Sequence, residues 1–227
     1  MSKELTHSEV EGTIAFVDLA GFTALTEAHG DRAAMDLIDS FVAMTRTAVA
    51  AADAELVKAI GDAVMLAASN PLACVEAVRR LFHACDEADG FPEPRAGLHH
   101  GPVITRDGDY YGATVNLAAR ATSHAGSGQG FATRKVADAA RLVGVDVQEL
   151  GPYRLRNVRD PVVLWSLDLC AEHVDRSVDP VCRMQVSCRS AIGRIRHGAN
   201  EHWFCSLACI GAFVADPDLY VDSQTDR

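Results

Sequence analysis

The spacing of apolar positions changes several times along the chain. Thr13-Ile14-Ala15-Phe16-Val17-Asp18 is a β-prone run that ends in an acid, and Ala20-Gly21-Phe22-Thr23 reads as the turn after it. Met35, Ile38, Phe41, Val42 and Val49 then recur at helical spacing, which predicts an amphipathic helix from about Asp31 to Ala52. Val57 to Met65, VKAIGDAVM, reads as two short apolar strands joined at Gly61-Asp62. Asn70-Pro71 is a helix start, because asparagine caps and proline suits the first turn. That helix carries Val75, Val78, Leu81, Phe82 and Cys85 on one face, with Gly90 closing it.

Beyond it, Arg95 to Ile104 predicts a strand around Gly97-Leu98-His99, followed by a loop at Asp107-Gly108-Asp109. Helices are predicted over about Ala113 to His124 and Arg134 to Leu142, with the glycine-rich Gly126-Ser127-Gly128-Gln129-Gly130 as a loop between them. Two β-prone runs, Gln148 to Arg156 and Val162 to Leu167, follow. Strands alternating with helices, with hairpins among them, predict an α+β chain built as an α/β sandwich on a mixed sheet. Leu169 to Asp179 reads as a polar linker, and Pro180 onward as a second, smaller unit with its own cysteines and aromatics.

Composition narrows the function classes. The chain has 227 residues, 48% of them hydrophobic, enough for one ordinary domain and a small module. A net charge of −10 argues against a protein that grips nucleic-acid backbone, so no nucleic-acid partner is expected. Bound divalent ions can still reverse the local sign for a phosphorylated small molecule. No apolar run approaches the roughly 18 residues of a spanning helix, and the polar start Met1-Ser2-Lys3-Glu4-Leu5 lacks a signal sequence. The expectation is a soluble cytoplasmic protein with no membrane partner. Of the 7 cysteines, Cys182, Cys188, Cys205 and Cys209 crowd into the C-terminal unit, a pattern that suggests metal rather than a disulfide framework.

Two acids stand out by placement. Asp18 ends an apolar strand and Asp62 sits in a hairpin turn; adjacent antiparallel strands would bring both carboxylates to one sheet edge. Such a pair suits hard cations such as Mg2+, although Gly-Asp turns are commonly just solvated turns. On the helix near 113 to 124, Asn116 and Arg120 are four residues apart and share a face. They suit a ribose oxygen and a phosphoryl group, although such a pair taken alone is more often an ordinary polar face. His99 and His100 are adjacent on a strand, so they face opposite ways and do not share a metal easily.

These residues together carry a resemblance. Phe16-Val17-Asp18-Leu19-Ala20-Gly21-Phe22-Thr23, Lys58-Ala59-Ile60-Gly61-Asp62, Gly97-Leu98-His99-His100-Gly101 and Asp109-Tyr110-Tyr111-Gly112-Ala113-Thr114-Val115-Asn116-Leu117-Ala118-Ala119-Arg120 closely resemble the class III nucleotide cyclase catalytic domain. The resemblance spans residues 10–168 and implies a palm-type, ferredoxin-like core and a homodimer with sites at the subunit interface. It implies that Asp18 and Asp62, with the Leu19 backbone carbonyl, hold two Mg2+ or Mn2+ ions. The backbone of Ala20, Gly21, Phe22 and Thr23 would wrap the triphosphate. Lys58 and Asp109 of the other subunit would read the base, Asn116 would orient the ribose and Arg120 would stabilise charge at the α-phosphoryl group. Arg156 falls where the family usually has a triphosphate-binding lysine.

The implied reaction is in-line attack of the ribose 3'-hydroxyl on the α-phosphorus of ATP, giving cyclic AMP and pyrophosphate. Lysine can donate to adenine N1 and aspartate can accept from the N6 amino group, whereas guanine presents the reverse pattern. The alternatives are a guanylyl cyclase or a catalytically silent cyclase fold serving as a metal-responsive binding protein. A diguanylate cyclase would want an acidic pair in its hairpin, where Gly61-Asp62 supplies one acid.

After a linker at 169–177, residues 178–222 resemble a YHS domain, a short zinc-finger-like module. The resemblance rests on Asp179-Pro180-Val181-Cys182-Arg183-Met184-Gln185-Val186 and His202-Trp203-Phe204-Cys205-Ser206-Leu207-Ala208-Cys209, followed by Phe213 and Asp216-Pro217-Asp218-Leu219-Tyr220. It implies Cys182, Cys205 and Cys209 as ligands of Zn2+ or Cu+, with Cys188 and His202 as candidates for the fourth. Arg183 stands where that family commonly has glycine.

Overall fold

The computed structural model describes residues 8–88, 90–169 and 176–221. The N-terminal strand β1 (Ser8–Leu19) leads into helix α1 (Phe22–Ala50), then the hairpin β2 (Glu55–Ile60) and β3 (Ala63–Ala68). Helix α2 (Pro71–Glu87), strands β4 (Pro94–Arg106) and β5 (Asp109–Tyr111), and helix α3 (Ala113–Thr122) follow. Strand β6 (Gly130–Ala132), helix α4 (Arg134–Leu142), β7 (Val147–Tyr153) and β8 (Val162–Leu167) complete a mixed sheet in the order β2-β3-β1-β4-β6-β8-β7. Among the described residues only the β4–β6 pairing is parallel, and β5 pairs with β4 off that path.

The sheet has two different faces because strand residues alternate. Ala15, Val17 and Leu19 of β1 pack with Phe41, Val75, Leu81, Phe82 and Val136 under α1, α2 and α4. Ile14 and Phe16 point the other way, into a smaller cluster with Met65, Val103 and Ala118 beneath α3. Asp18 shares the parity of Ile14 and Phe16, so it belongs to the α3 side. Gly97 lets α3 seat there, since a Cβ at this position would lie 2.1 Å from the Thr122 amide nitrogen.

The predicted helix at Asp31 to Ala52 proves to be the second part of a longer one. Gly30 (φ 82, ψ 164) interrupts the helical geometry, which is why the sequence pattern begins only after it. Phe22 and Thr23, expected as turn residues, form the opening turn of α1 after Gly21 at φ 75. The α2 start matches expectation: the Asn70 side chain accepts from the Ala73 amide at 3.0 Å. Among the described residues no helix is long and apolar enough to cross a membrane.

The C-terminal unit pairs β9 (Arg176–Val178) with β10 (Gln185–Ser187) and β11 (Gly193–His197) with β12 (Asn200–Phe204), and ends in α5 (Leu207–Ala215) and a 3-10 turn at Pro217–Leu219. Its own core joins Val181, Cys182, Phe204, Cys209 and Phe213. Of the stretch expected as linker, residues 170–175 lie outside the described residues. Leu169 is buried in the main core, and 176–178 are the strand β9. The unit is docked: the Gln185 amide donates to Phe91 O at 3.2 Å, and Arg176 reaches the Asp86 carboxylate at 3.2 Å.

Candidate active site

The β1–β3 register sets Asp18 opposite Ala63, so Asp62 lies beside the end of β1, where the Leu19 amide donates to Asp62 O at 3.3 Å. The two carboxylates meet at one sheet edge. Burial pushes the Asp62 carboxyl above its ordinary range, and the Asp18 charge pushes it further. Arg95 supplies one cation: its Nη2 and Nε donate to Asp18 Oδ2 at 2.5 and 2.8 Å. Sequence reading missed Arg95 because only the β1–β4 register, in which it faces Asp18, brings it there. Leu19 contributes a buried side chain at the same corner.

The turn after β1 carries the other backbone groups. The Ala20 amide is already committed to Glu93 O at 3.0 Å, so it is not a free donor as the resemblance implied. Gly21 opens α1 without a side-chain cap. The first amides of an uncapped helix face outward with the positive end of its dipole, which suits phosphate oxygens. The donors left for that role are those of Gly21, Phe22 and Thr23.

Lys58 and Asp109 form a second cluster, Nζ to Oδ2 at 2.5 Å. A β-bulge places Lys58 for this. Leu56 pairs with Leu66 and faces the α1–α2 core, yet Lys58 pairs with Met65, on the α3 side, because Val57 is extra. Without the bulge Lys58 would pair with Val64, a fully buried residue of the α1–α2 core. Asp107 (φ 53) and Gly108 (φ 77) make the tight turn that sends β5 back along β4, and Tyr110 donates to Glu55 of β2. The Lys58 hydrogen bond holds the Asp109 carboxyl below its usual range.

Asn116 is exposed and Arg120 half-buried on α3; among the described residues neither side chain has a hydrogen bond or ion pair. Arg156 is exposed in the loop between β7 and β8, anchored by buried Leu155 and turned by Asn157 at φ 63. One chain therefore brings together Asp18, Asp62 and Arg95, and separately Lys58 and Asp109. It does not tie Asn116, Arg120 or Arg156 to either group.

His99 and His100 are split as expected: His99 Nδ1 bonds the Thr133 hydroxyl at 2.7 Å, and His100 Nδ1 the Thr13 hydroxyl at 2.8 Å. Burial lowers the His99 pKa to about 4. Its folded value lies below the unfolded one, so its stability contribution is complete above about pH 6.5 and lost as pH falls through the folded value near 4. The contribution is about 2 kcal/mol after allowance for partial solvent contact. His99→Gln should flatten the wild-type decline in urea midpoint between pH 6.5 and 4; parallel profiles would remove His99 as the cause.

In the C-terminal unit Cys182, Cys205 and Cys209 converge, with Cys182 and Cys205 Sγ at 3.5 Å. Neither candidate for a fourth ligand joins them. The His202 ring packs on Phe213 with centroids 5.2 Å apart, its Nε2 buried without a partner, and Cys188 stands outside the cluster. The group that joins them is His29, from α1, which no local spacing in the sequence connects to the cysteines.

A mixed sheet with an acid pair at the β1 and β2–β3 ends, and helices on both faces, is the class III nucleotidyl cyclase catalytic core. Residues 5–168 match the Adenylate and Guanylate cyclase catalytic domain, and the chain belongs to that family. It is 34% identical over 157 residues, 67% of this chain and 39% of the relative, to a pH-sensitive adenylate cyclase of Mycobacterium tuberculosis. It is 40% identical over 110 residues, 48% of this chain and 28% of the relative, to an adenylate cyclase of Streptomyces griseus. The chain thus spans well under half the length of these relatives. Among solved structures, the adenylyl cyclase CyaB of Pseudomonas aeruginosa superposes with a TM-score of 0.64 at 19% identity, covering 75% of this chain and 99% of that one. The guanylate cyclase domain of RhGC from Catenaria anguillulae superposes with 0.63 at 16% identity, covering 70% and 97%, so the fold by itself is shared by enzymes of both nucleotides.

Proposed function

We propose that the chain is an adenylyl cyclase acting as a homodimer, converting ATP to 3',5'-cyclic AMP and pyrophosphate. The observation that carries the nucleotide choice is the Lys58–Asp109 pair, a cationic donor and an anionic acceptor held 2.5 Å apart. Opened by substrate, the pair offers a donor to adenine N1 and an acceptor to the N6 amino group, which guanine would oppose.

The acid pair fits divalent cations. Arg95 brings one positive charge to two carboxylates, and burial and the Asp18 charge still hold the Asp62 carboxyl above its ordinary range despite it. Two Mg2+ or Mn2+ ions at Asp18 and Asp62, with the Leu19 carbonyl, would supply electrostatic stabilisation to the attacking and leaving oxygens. The Gly21, Phe22 and Thr23 amides hold the triphosphate in line, Asn116 orients the ribose, and Arg120 meets charge developing on the α-phosphoryl oxygens. Arg156 binds the triphosphate tail.

Dimerisation is supported by what each chain leaves open. Among the described residues Asn116 and Arg120 have no side-chain hydrogen bond or ion pair, and Ile60 and Tyr111, beside Asp62 and Asp109, are 50% and 48% exposed. A two-fold pairing would cover these apolar side chains and give each acid pair its partner's Lys58, Asp109, Asn116 and Arg120. The C-terminal unit is read as a YHS-like metal-binding appendage to this enzyme.

Purified protein supplied with equal ATP and GTP should form cyclic AMP faster than cyclic GMP. Lys58→Arg should impair ATP turnover although charge is kept, because the planar fork replaces a compact single-point donor. Faster cyclic GMP formation, or unchanged kinetics in Lys58→Arg, would contradict the assignment.

A further inference from the structure

Where the C-terminal unit meets α1, four metal-ligating side chains converge: His29, Cys182, Cys205 and Cys209, with ligand atoms all within 4.8 Å of one another. The Cys205 sulfur stands 3.5 Å from that of Cys182 and 3.8 Å from that of Cys209, and His29 Nε2 lies 3.6 Å from the Cys205 sulfur and 3.9 Å from the Cys209 sulfur. These spacings are far longer than a disulfide bond of about 2.05 Å. They match a tetrahedron around zinc, whose bonds of about 2.3 Å to sulfur and 2.0 Å to nitrogen give edges of about 3.8 and 3.5 Å.

The surroundings hold this arrangement. Asp179 is fully buried, and its Oδ1 accepts from the Val181 and Cys182 amides at 2.9 and 3.4 Å, while Oδ2 accepts from Cys205 at 2.8 Å. One carboxylate thus fixes both loops that carry the first two cysteines. The Ser206 hydroxyl accepts from the Cys209 amide at 3.1 Å and fixes the third at the start of α5. Asp179 has no cationic partner among the described residues. A buried carboxylate beside three thiols is a place short of positive charge.

We propose that His29, Cys182, Cys205 and Cys209 form a Zn2+ site in which the fourth ligand comes from the first helix of the catalytic domain, so that the ion staples the C-terminal unit to α1. A Cys3His set favours zinc over harder divalent ions. The staple bears on the turn after β1. Arg183 follows Cys182 at φ 66, and its stem lies so close over Gly21 that a Cβ there would be 2.4 Å from Arg183 Cγ. His29 ends the first part of α1, just before the break at Gly30. The ion therefore ties down both ends of the segment 21–29.

The test uses the full chain, freed of metal and titrated with Co2+ and then Zn2+ while Mg2+ is in excess. Thiolate-to-metal charge transfer reports cysteine ligation and is blind to the carboxylate pair. One equivalent should bind. His29→Ala should weaken binding by more than the ~100-fold seen when an outer-shell partner is lost. His202→Ala and Cys188→Ser should bind as wild type. His29→Cys should restore tight binding with stronger charge transfer, which keeps the test decisive should His29→Ala fold poorly. Hydrogen exchange across residues 20–30 should slow on adding Zn2+. Wild-type affinity in His29→Ala, failure of His29→Cys to bind tightly, or unchanged exchange over residues 20–30 would overturn the proposal.

Discussion

Asp62→Asn is expected to cut cyclic nucleotide formation by at least about 10³-fold while leaving the metal-free fold as stable as wild type or more stable. Metal-ion stabilisation of developing charge is worth several kcal/mol, and each 1.36 kcal/mol is a factor of ten. The stability half of the expectation follows from the placement of the acid pair. Asp62 is partly buried, lies beside Asp18, and has its carboxyl pushed upward for both reasons, while Arg95 hydrogen-bonds Asp18 and offsets only part of the rise. A carboxylate whose folded pKa exceeds its unfolded value gives up stability as pH rises through that interval. At neutral pH the charge of Asp62 therefore strains the metal-free fold, and a neutral isostere removes the strain. Product formation and melting temperature, measured on one preparation, check both halves. Retained activity would sink the metal role, and a large fall in melting temperature would show that Asp62 is a structural group.

Gly97→Ala is expected to destabilise the chain by about 3 kcal/mol, at the upper end for overpacking, and to abolish activity with it. The new methyl would stand 2.1 Å from the Thr122 amide nitrogen and 2.5 Å from the Ala118 carbonyl oxygen. Both are backbone atoms of α3, so no rotamer change relieves the clash, and α3 must lift from β4 carrying Asn116 and Arg120. Gly101→Ala is the control. There the nearest atom is the Thr114 hydroxyl at 2.9 Å, a side-chain group whose displacement costs its hydrogen bond to the Pro102 carbonyl but leaves the α3 backbone in place, so a smaller loss follows. Urea midpoints of the two variants decide it; an unshifted Gly97→Ala midpoint would mean that α3 is not seated as described.

The sequence made most of this framework legible. The helix Arg134–Leu142 and the strand Val162–Leu167 lie where periodicity puts them, and Asn70-Pro71 opens α2. The acid pair could be anticipated because one acid ends an apolar strand and the other sits at a hairpin tip. The first part of α1 was hidden by Gly30, whose non-helical φ and ψ put a kink between the two parts of the helix. Lys58 is a charge inside a run that otherwise reads as an apolar strand, but the bulge at Val57 that turns it to the α3 side has no sequence mark of its own. Arg95 and His29 were invisible for one reason: each meets its partner through tertiary register, across 77 residues for Asp18 and across 176 for Cys205. Spacing rules see neighbours along the chain, and these contacts are between elements that only packing brings together.

The division of the catalytic groups between two chains is tested most directly by mixing two inactive variants. Asp62→Ala lacks the metal half of every site, and Arg120→Ala lacks the transition-state half. Random pairing of equal amounts gives half heterodimers, each with one intact site of two, so activity should recover to about a quarter of wild type. Recovery at that level is the result predicted here. No recovery, with heterodimers demonstrated in the mixture, would contradict a site shared between subunits.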